Sequence, residues 1–141
     1  MAEMTETARD WLRGRNQVVL VTLRRDGSPQ TSNVLAHFDG ESFAVSVTAD
    51  RAKTRNLARD PRAVVHVLGP SFWSYASVSC TADLGPVTEQ PGDEAGRELL
   101  ALHDALSEEP HPDPDEFYAA MVAERRLLMR LRPTGISGSG W

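Results

Sequence analysis

Residues 17–48 read QVVLVTLRRDGSPQTSNVLAHFDGESFAVSVT and contain three runs rich in β-branched and apolar residues. Runs of this composition are typical of strands. Asp26-Gly27 and Asp39-Gly40 separate the runs, and Asp-Gly pairs favour tight hairpin turns. The predicted strands are residues 17–24, 29–38 and 42–48. Three strands joined by two short turns predict an antiparallel meander.

Outward from the meander, short helical and strand patterns alternate. Helices are predicted at residues 5–15, 52–59, 93–107 and 115–124, and further strands at 62–68, 73–84 and 126–132. About six antiparallel strands predict a closed or nearly closed barrel, because closure removes exposed sheet edges. We expect one domain over residues 1–141, with the Gly/Ser-rich segment 134–141 as a mobile tail.

Composition restricts the function classes. The chain has 141 residues and a net charge of -5, which argues against general nucleic-acid binding. Residues 1–80 carry ten basic and eight acidic residues, and residues 81–141 carry five and twelve, so we expect an anionic ligand on the first half. A single cysteine, a polar start and no apolar run of about 20 residues predict a cytoplasmic protein without a membrane span.

The densest basic cluster is residues 51–55, at the predicted start of a helix. It holds Lys53, the chain's one lysine among 15 cations, although codon bias toward arginine explains the rarity of lysine equally well. Free N–H groups at a helix start favour anions, and Arg and Lys bind phosphate. The polar and basic residues at this junction are Ser46, Thr48, Arg51, Lys53, Thr54 and Asn56. The alternative is a solvated, salt-bridged surface helix.

Two other groups are candidates for ligand contacts. Gln30, Ser32 and Asn33 break the alternation of their strand, so at least one faces inward or toward a ligand. Trp73 and Tyr75 share one face of a later strand, where the ordinary roles are core packing or a dimer interface.

Standard catalytic and metal-binding signatures are absent from the sequence. It contains no nucleotide-binding glycine motif, no serine-hydrolase motif and no zinc-protease motif. The four histidines lie at unrelated spacings beside a single cysteine, so we expect no metal site. His37 ends a predicted strand and is a candidate cleft residue, whereas His66 has the apolar neighbours of a core residue.

Three segments together resemble a known superfamily: residues 29–34 (PQTSNV), 51–63 (RAKTRNLARDPRA) and 73–76 (WSYA). They are similar to the flavin/deazaflavin oxidoreductases, which are split barrels like pyridoxamine 5'-phosphate oxidase, and most similar to the branch that binds coenzyme F420. The resemblance covers roughly residues 16–132, and residues 85–115 are its least covered part. It implies a mainly β fold, a six-stranded antiparallel split β-barrel with a few peripheral α-helices.

The resemblance also implies a function. It implies an F420-dependent reductase that transfers hydride from reduced F420 to a small organic acceptor, in a homodimer with cofactor sites at the subunit interface. The implied cofactor-binding residues are Gln30, Ser32, Asn33, Ser46, Thr48, Arg51, Lys53, Thr54, Asn56, Trp73 and Tyr75. The alternatives are an FMN-dependent oxidase or reductase and a non-catalytic cofactor- or haem-binding protein. No residue is assigned as catalytic, and the proton of a reduction comes from solvent or from His37. Residues 85–115 are candidates for shaping the substrate pocket.

Overall fold

A computed structural model describes residues 3–141, so the first two residues of the predicted domain lie outside the described residues. The described chain forms seven strands and four α-helices. In chain order they are α1 (Glu6–Leu12), β1 (Gln17–Leu23), β2 (Pro29–Leu35), β3 (His37–Phe38), β4 (Phe43–Thr48), α2 (Ala52–Arg59), β5 (Arg62–Leu68), β6 (Tyr75–Leu84), α3 (Glu94–Leu106), α4 (Pro114–Ala123) and β7 (Arg126–Ser139).

The strands form one antiparallel sheet in the order β2-β1-β5-β6-β7-β4-β3. The two edge strands, β2 and β3, are separated in the chain by Ala36 alone. Because one residue of the chain connects the strands at the two opposite edges of the sheet, the sheet must curl until those edges approach each other. The fold is therefore mainly β, an open, curled antiparallel sheet consistent with a split barrel.

The expected strand count of six was wrong, because the predicted strand at 29–38 is two strands. Its first part, β2, pairs with β1, and its second part, β3, pairs with β4. The division falls at Ala36, which is buried and whose N–H donates to the carbonyl of Asn16 (2.8 Å). The alternation of inward and outward side chains continues from β2 through Ala36 into β3, so the sequence does not reveal the change of partner.

The segment expected to be a mobile tail instead continues β7 as far as Ser139. It pairs with β6, with Ser139 opposite Tyr75 and Gly135 opposite Ser79. Gly138 has a φ of +147°, and a Cβ there would collide with the backbone carbonyl of Tyr75. Glycine at this position serves the close approach of two strands rather than chain mobility.

The two faces of the sheet have different surroundings. The inner face and α1 enclose the main core, to which β1 contributes Val18 and Leu20. On the outside, α3 and α4 pack against β4 and β7, over Ala44 and Leu128. The outward side chains of β1 and β5, such as Val19, remain partly exposed. The outer face of the sheet therefore has one covered half and one half with exposed apolar residues.

Among the described helices, none is both long enough and apolar enough to cross a bilayer.

Candidate functional site

Helix α2 begins without a capping side chain. Its N-cap residue, Arg51, has extended backbone angles and makes no side-chain cap hydrogen bond, and its first turn contains no acidic residue. By contrast, Thr5 and Asp93 each accept a hydrogen bond from the first turn of their own helix. The first N–H groups of α2 and the positive end of its dipole therefore remain available to an anion.

Three cations surround this helix start. Partial burial lowers the pKa of Lys53, and the nearby positive charges of Arg51 and Arg126 lower it further. Neither Lys53 nor Arg51 has an ion pair within residues 3–141. Arg126 pairs with Glu124 at 3.0 Å, which leaves a net positive cluster. A bound anion would relieve the mutual repulsion of these cations, so their arrangement fits a phosphate.

The cations lie at one end of a cavity of about 480 Å³. Strands β2 and β4 supply a second part of its lining, and the helices α3 and α4 supply an apolar wall. The lining residues are Asn33, Val34, Leu35, Val45, Ser46, Val47, Thr48, Arg51, Lys53, Leu99, Leu102, His103, Leu106, Phe117, Met121 and Arg126. The cavity thus joins a cationic end to an apolar end, which suits a ligand with a phosphate and a flat, less polar body.

A wider depression of about 870 Å³ lies on the other side of β2. It shares residues 33–35 with the first cavity and extends over residues 14–19 and Leu68. Its lining includes no lysine, and Arg15 is its one charged residue. The cationic cavity is therefore the better candidate for an anionic ligand.

Thr48 connects strand β4 to this helix start. Its carbonyl oxygen accepts a hydrogen bond from the Thr54 hydroxyl (2.8 Å), which fixes the first turn of α2 against the strand. The Thr48 hydroxyl lies close enough to Asp50 to lower the pKa of that carboxyl. Thr48 Oγ1 is itself buried, and no hydrogen bond of ordinary length and angle reaches it from the described residues. It is available to a ligand in the cavity.

The structure places Gln30 and Asn56 in a hydrogen-bonded tie between α2 and the sheet. The Asn56 side-chain amide donates to Thr22 Oγ1 (3.1 Å) and to Gln30 Oε1 (2.8 Å). Ser32 is half-buried on the same face of β2 as Gln30, whereas Asn33 is exposed on the opposite face and lines the cavity. Of the predicted polar residues of β2, Asn33 alone lines the cavity.

The aromatic candidates lie away from this cavity. Trp73, in the turn before β6, is 77% exposed and packs edge-on against Phe72 with ring centroids 4.7 Å apart. Tyr75 is half-buried beside the ring of His66 (5.5 Å). Within one chain, neither aromatic ring contributes to the cavity lining, so a role for them requires a second subunit.

Sequence reasoning missed Arg126 and the apolar wall. Arg126 lies opposite Thr48 in the register of β4 and β7, far from the basic cluster in the chain. Its Nη1 lies 3.4 Å from Ser46 Oγ. No local sequence motif identifies Arg126. The excess of acidic residues in 81–141 led us to expect the anion-binding residues in the first half of the chain. The wall comes partly from residues 85–115, the segment expected to shape a pocket, whereas His37 lies in β3 outside the cavity lining.

The curled antiparallel sheet thus carries a cationic helix start beside a cavity, an arrangement that fits a phosphorylated ligand. The family model of pyridoxamine 5'-phosphate oxidase matches residues 4–137, and the chain belongs to this family. The resemblance to the split-barrel flavin/deazaflavin oxidoreductase superfamily is thereby confirmed.

Solved structures share the fold. An F420 reductase is 27% identical, with a TM-score of 0.67 over 97% of this chain and 98% of its own. A haem storage protein from Vibrio cholerae is 15% identical, with a TM-score of 0.68 over 100% and 97%. An FMN-binding protein related to pyridoxamine 5'-phosphate oxidase, from Nostoc punctiforme, is 14% identical, with a TM-score of 0.62 over 91% and 75%. At such low identity the last two show the fold alone.

Proposed function

We propose that this protein is an F420-dependent reductase that transfers hydride from reduced F420 to a small organic acceptor. The observation that carries the proposal is the uncapped start of α2, where Arg51 and Lys53 lie beside a cavity and make no ion pair in the described residues. The likeness to an F420 reductase at 27% identity over nearly the whole chain supports F420 as the cofactor.

Different residues of the cavity would bind different parts of the cofactor. Arg51, Lys53 and the first N–H groups of α2 bind the cofactor phosphate, with Arg126 supplying further positive charge. The hydroxyls of Ser46 and Thr48 offer hydrogen bonds along the cofactor body. The bound cofactor supplies the hydride, while the protein positions it and excludes competing reactions. The apolar wall of α3 and α4 keeps water away from the reacting atoms.

FMN is the alternative cofactor, because one phosphate satisfies the same cations in either molecule. The family match and the FMN-binding relative keep this alternative open. The cation cluster therefore supports a phosphorylated cofactor more strongly than it supports F420 over FMN.

We further propose a homodimer with the cofactor sites at the subunit interface. The supporting observation is the set of large apolar side chains exposed on one chain: Leu35 (55%), Leu68 (61%), Phe72 (83%) and Trp73 (77%). Leu35 and Leu68 end strands β2 and β5, and Phe72 and Trp73 lie in the turn before β6. Exposed apolar surface of this kind is typical of an interface. A partner seated there would bring Trp73 and Tyr75 toward the cofactor, as the resemblance implies. The cytoplasm remains the expected location, and the single, buried Cys80 fits a reducing setting.

Separate fluorescence titrations with F420 and FMN test the proposal. We expect the wild-type protein to bind F420 more tightly, and Lys53→Ala to weaken binding by about 1–3 kcal/mol, or roughly 5- to 150-fold. Arg55→Ala is the matched control, because Arg55 is an exposed cation of the same helix outside the cavity lining. Tight binding of FMN without F420 would establish the alternative cofactor, and tight haem binding with a Soret shift would favour the non-catalytic alternative.

A further inference from the structure

The apolar wall of the cavity contains one titratable side chain. The residues that α3 and α4 contribute are Leu99, Leu102, His103, Leu106, Phe117 and Met121. Among these six, His103 alone can donate or accept a hydrogen bond with a ring nitrogen. A polar group in an otherwise apolar ligand wall fixes the orientation of what binds there.

The ring of His103 is held in place on three sides. Its Nδ1 lies 3.1 Å from Asp104 Oδ1, and its centroid lies 5.5 Å from Phe117 and 5.1 Å from His111, both edge-on. Asp104 Oδ1 also accepts the N–H of His111 (3.0 Å). That hydrogen bond, followed by the one from His103, lowers the pKa of Asp104, so the carboxyl is ionised.

An ionised carboxylate only accepts, so the Nδ1 of His103 carries a proton toward Asp104. The other ring nitrogen, Nε2, has no hydrogen-bond partner among the described residues. A carboxylate that orients an imidazole through one ring nitrogen is the usual arrangement of a histidine that transfers a proton through its other nitrogen.

The polar side chains that could bind a cofactor ring lie on the strands and not on this wall. An isoalloxazine-like ring carries several hydrogen-bonding atoms along one edge. The cavity side chains on β2 and β4 that can hydrogen-bond with such atoms are Asn33, Ser46 and Thr48. The wall offers apolar contacts and one nitrogen. It therefore suits a flat, weakly polar molecule with a single oxygen that needs a proton.

We propose that the α3–α4 wall binds the acceptor as a flat conjugated carbonyl compound, and that His103 donates a proton to its carbonyl oxygen. This inference rests on the proposed reductase function. Hydride from the reduced cofactor adds to the β-carbon of the conjugated C=C bond, and the negative charge develops on the carbonyl oxygen. The proton passes from His103 Nε2 to that oxygen, and the resulting enol becomes the saturated ketone. The acceptor gains two electrons and two hydrogens, and solvent reprotonates His103.

Several charged or titratable groups surround His103. Asp104 lies beside it on the same helix, and His111 lies beside it on the loop before α4. The cations Lys53, Arg51 and Arg126 line the same cavity.

The test uses trans-4-phenyl-3-buten-2-one, a flat compound with one carbonyl, on His103→Gln and on the control His37→Gln. His37 is the other candidate proton donor, and it lies in β3 outside the cavity lining. In wild-type protein without cofactor, and again with oxidised cofactor, we expect the probe to shift the His103 Nε2 resonance in imidazole 15N spectra. We expect His103→Gln to weaken probe binding severalfold while leaving cofactor affinity unchanged.

With reduced cofactor, we expect wild-type turnover to fall with rising pH as the imidazolium is lost. His103→Gln should lower kcat by on the order of 100-fold and remove that dependence, while His37→Gln leaves both unchanged. An unshifted His103 resonance, or a pH profile and kcat that His103→Gln leaves intact, would overturn the inference. Failure of both cofactors to bind would instead overturn the proposed function, and the cofactor-free spectra would still decide whether the wall binds the carbonyl compound.

Discussion

Replacing Asn56 by alanine distinguishes a structural tie from a ligand contact. Asn56 is 7% exposed, and its amide donates to Thr22 Oγ1, itself on a residue that is 1% exposed, and to Gln30 Oε1. Alanine removes both donors and leaves the buried Thr22 hydroxyl without its hydrogen-bond partner. A stranded buried hydroxyl costs about 1–3 kcal/mol and the second hydrogen bond about 1 kcal/mol. We therefore expect the free energy of unfolding to fall by roughly 2–4 kcal/mol.

Urea denaturation followed by circular dichroism measures this loss, and Arg55→Ala, an exposed change on the same helix, should stay within about 0.5 kcal/mol of wild type. Thr22→Val removes the hydroxyl that Asn56→Ala leaves unpaired. The free energy of unfolding of the double variant should therefore fall by about 1 kcal/mol less than the sum of the two single losses. Wild-type stability in Asn56→Ala, together with weakened F420 binding, would refute the structural tie and make Asn56 a cofactor contact.

Three further predictions follow from the charges and surfaces of the chain. Lys53→Met should raise the stability of the cofactor-free protein by less than about 1 kcal/mol, because it removes a cation that Arg51 and Arg126 disfavour. The same change should abolish most of the rise in Tm that saturating cofactor produces, which differential scanning fluorimetry measures. Leu68→Glu should shift the protein toward monomer in analytical ultracentrifugation, and an unchanged dimer would place the interface elsewhere. The Asp93 carboxylate accepts N–H and hydroxyl hydrogen bonds that hold its pKa well below the usual range. The carboxylate therefore stabilises the fold at pH values above the unfolded pKa of about 3.9, and this stabilisation is lost as the pH falls. Asp93→Asn should flatten the acid limb of a plot of Tm against pH, and an unchanged limb would contradict this role.

Much of the fold could be predicted from the sequence because its signals are local. The Asp-Gly turns at 26–27 and 39–40 separate strands where expected, and α2 occupies the predicted residues 52–59. The break at Ala36 was missed because a change of strand partner leaves the alternation of side chains intact. The extension of β7 was missed because glycines that permit close strand approach resemble the glycines of a mobile tail.

The candidate site was predictable only in its local part. Arg51 and Lys53 belong to one short motif at a helix start, and the structure brings both to the cavity. Arg126 reaches the same cavity through the register of β4 and β7, which no local pattern encodes. His103 was equally hidden, because its role depends on packing α3 over the sheet.

Asn56 shows that a residue of the predicted site can also have a structural role, and its contact with a cofactor stays a prediction. Its position in the basic motif suggested a cofactor contact, but a buried amide must satisfy its own hydrogen bonds, and Thr22 and Gln30 do so. Sequence spacing identifies residues near a site without distinguishing those that face the ligand from those that support the helix.

We propose above all that the start of α2 holds the phosphate of a flavin-type cofactor. A crystal structure of the protein soaked or grown with F420 tests it most directly. We expect the cofactor phosphate within hydrogen-bond distance of Lys53 Nζ and of the first N–H groups of α2, with the cofactor ring between β4 and the α3–α4 wall. A phosphate bound elsewhere, with Lys53 and Arg51 facing only solvent, would contradict it.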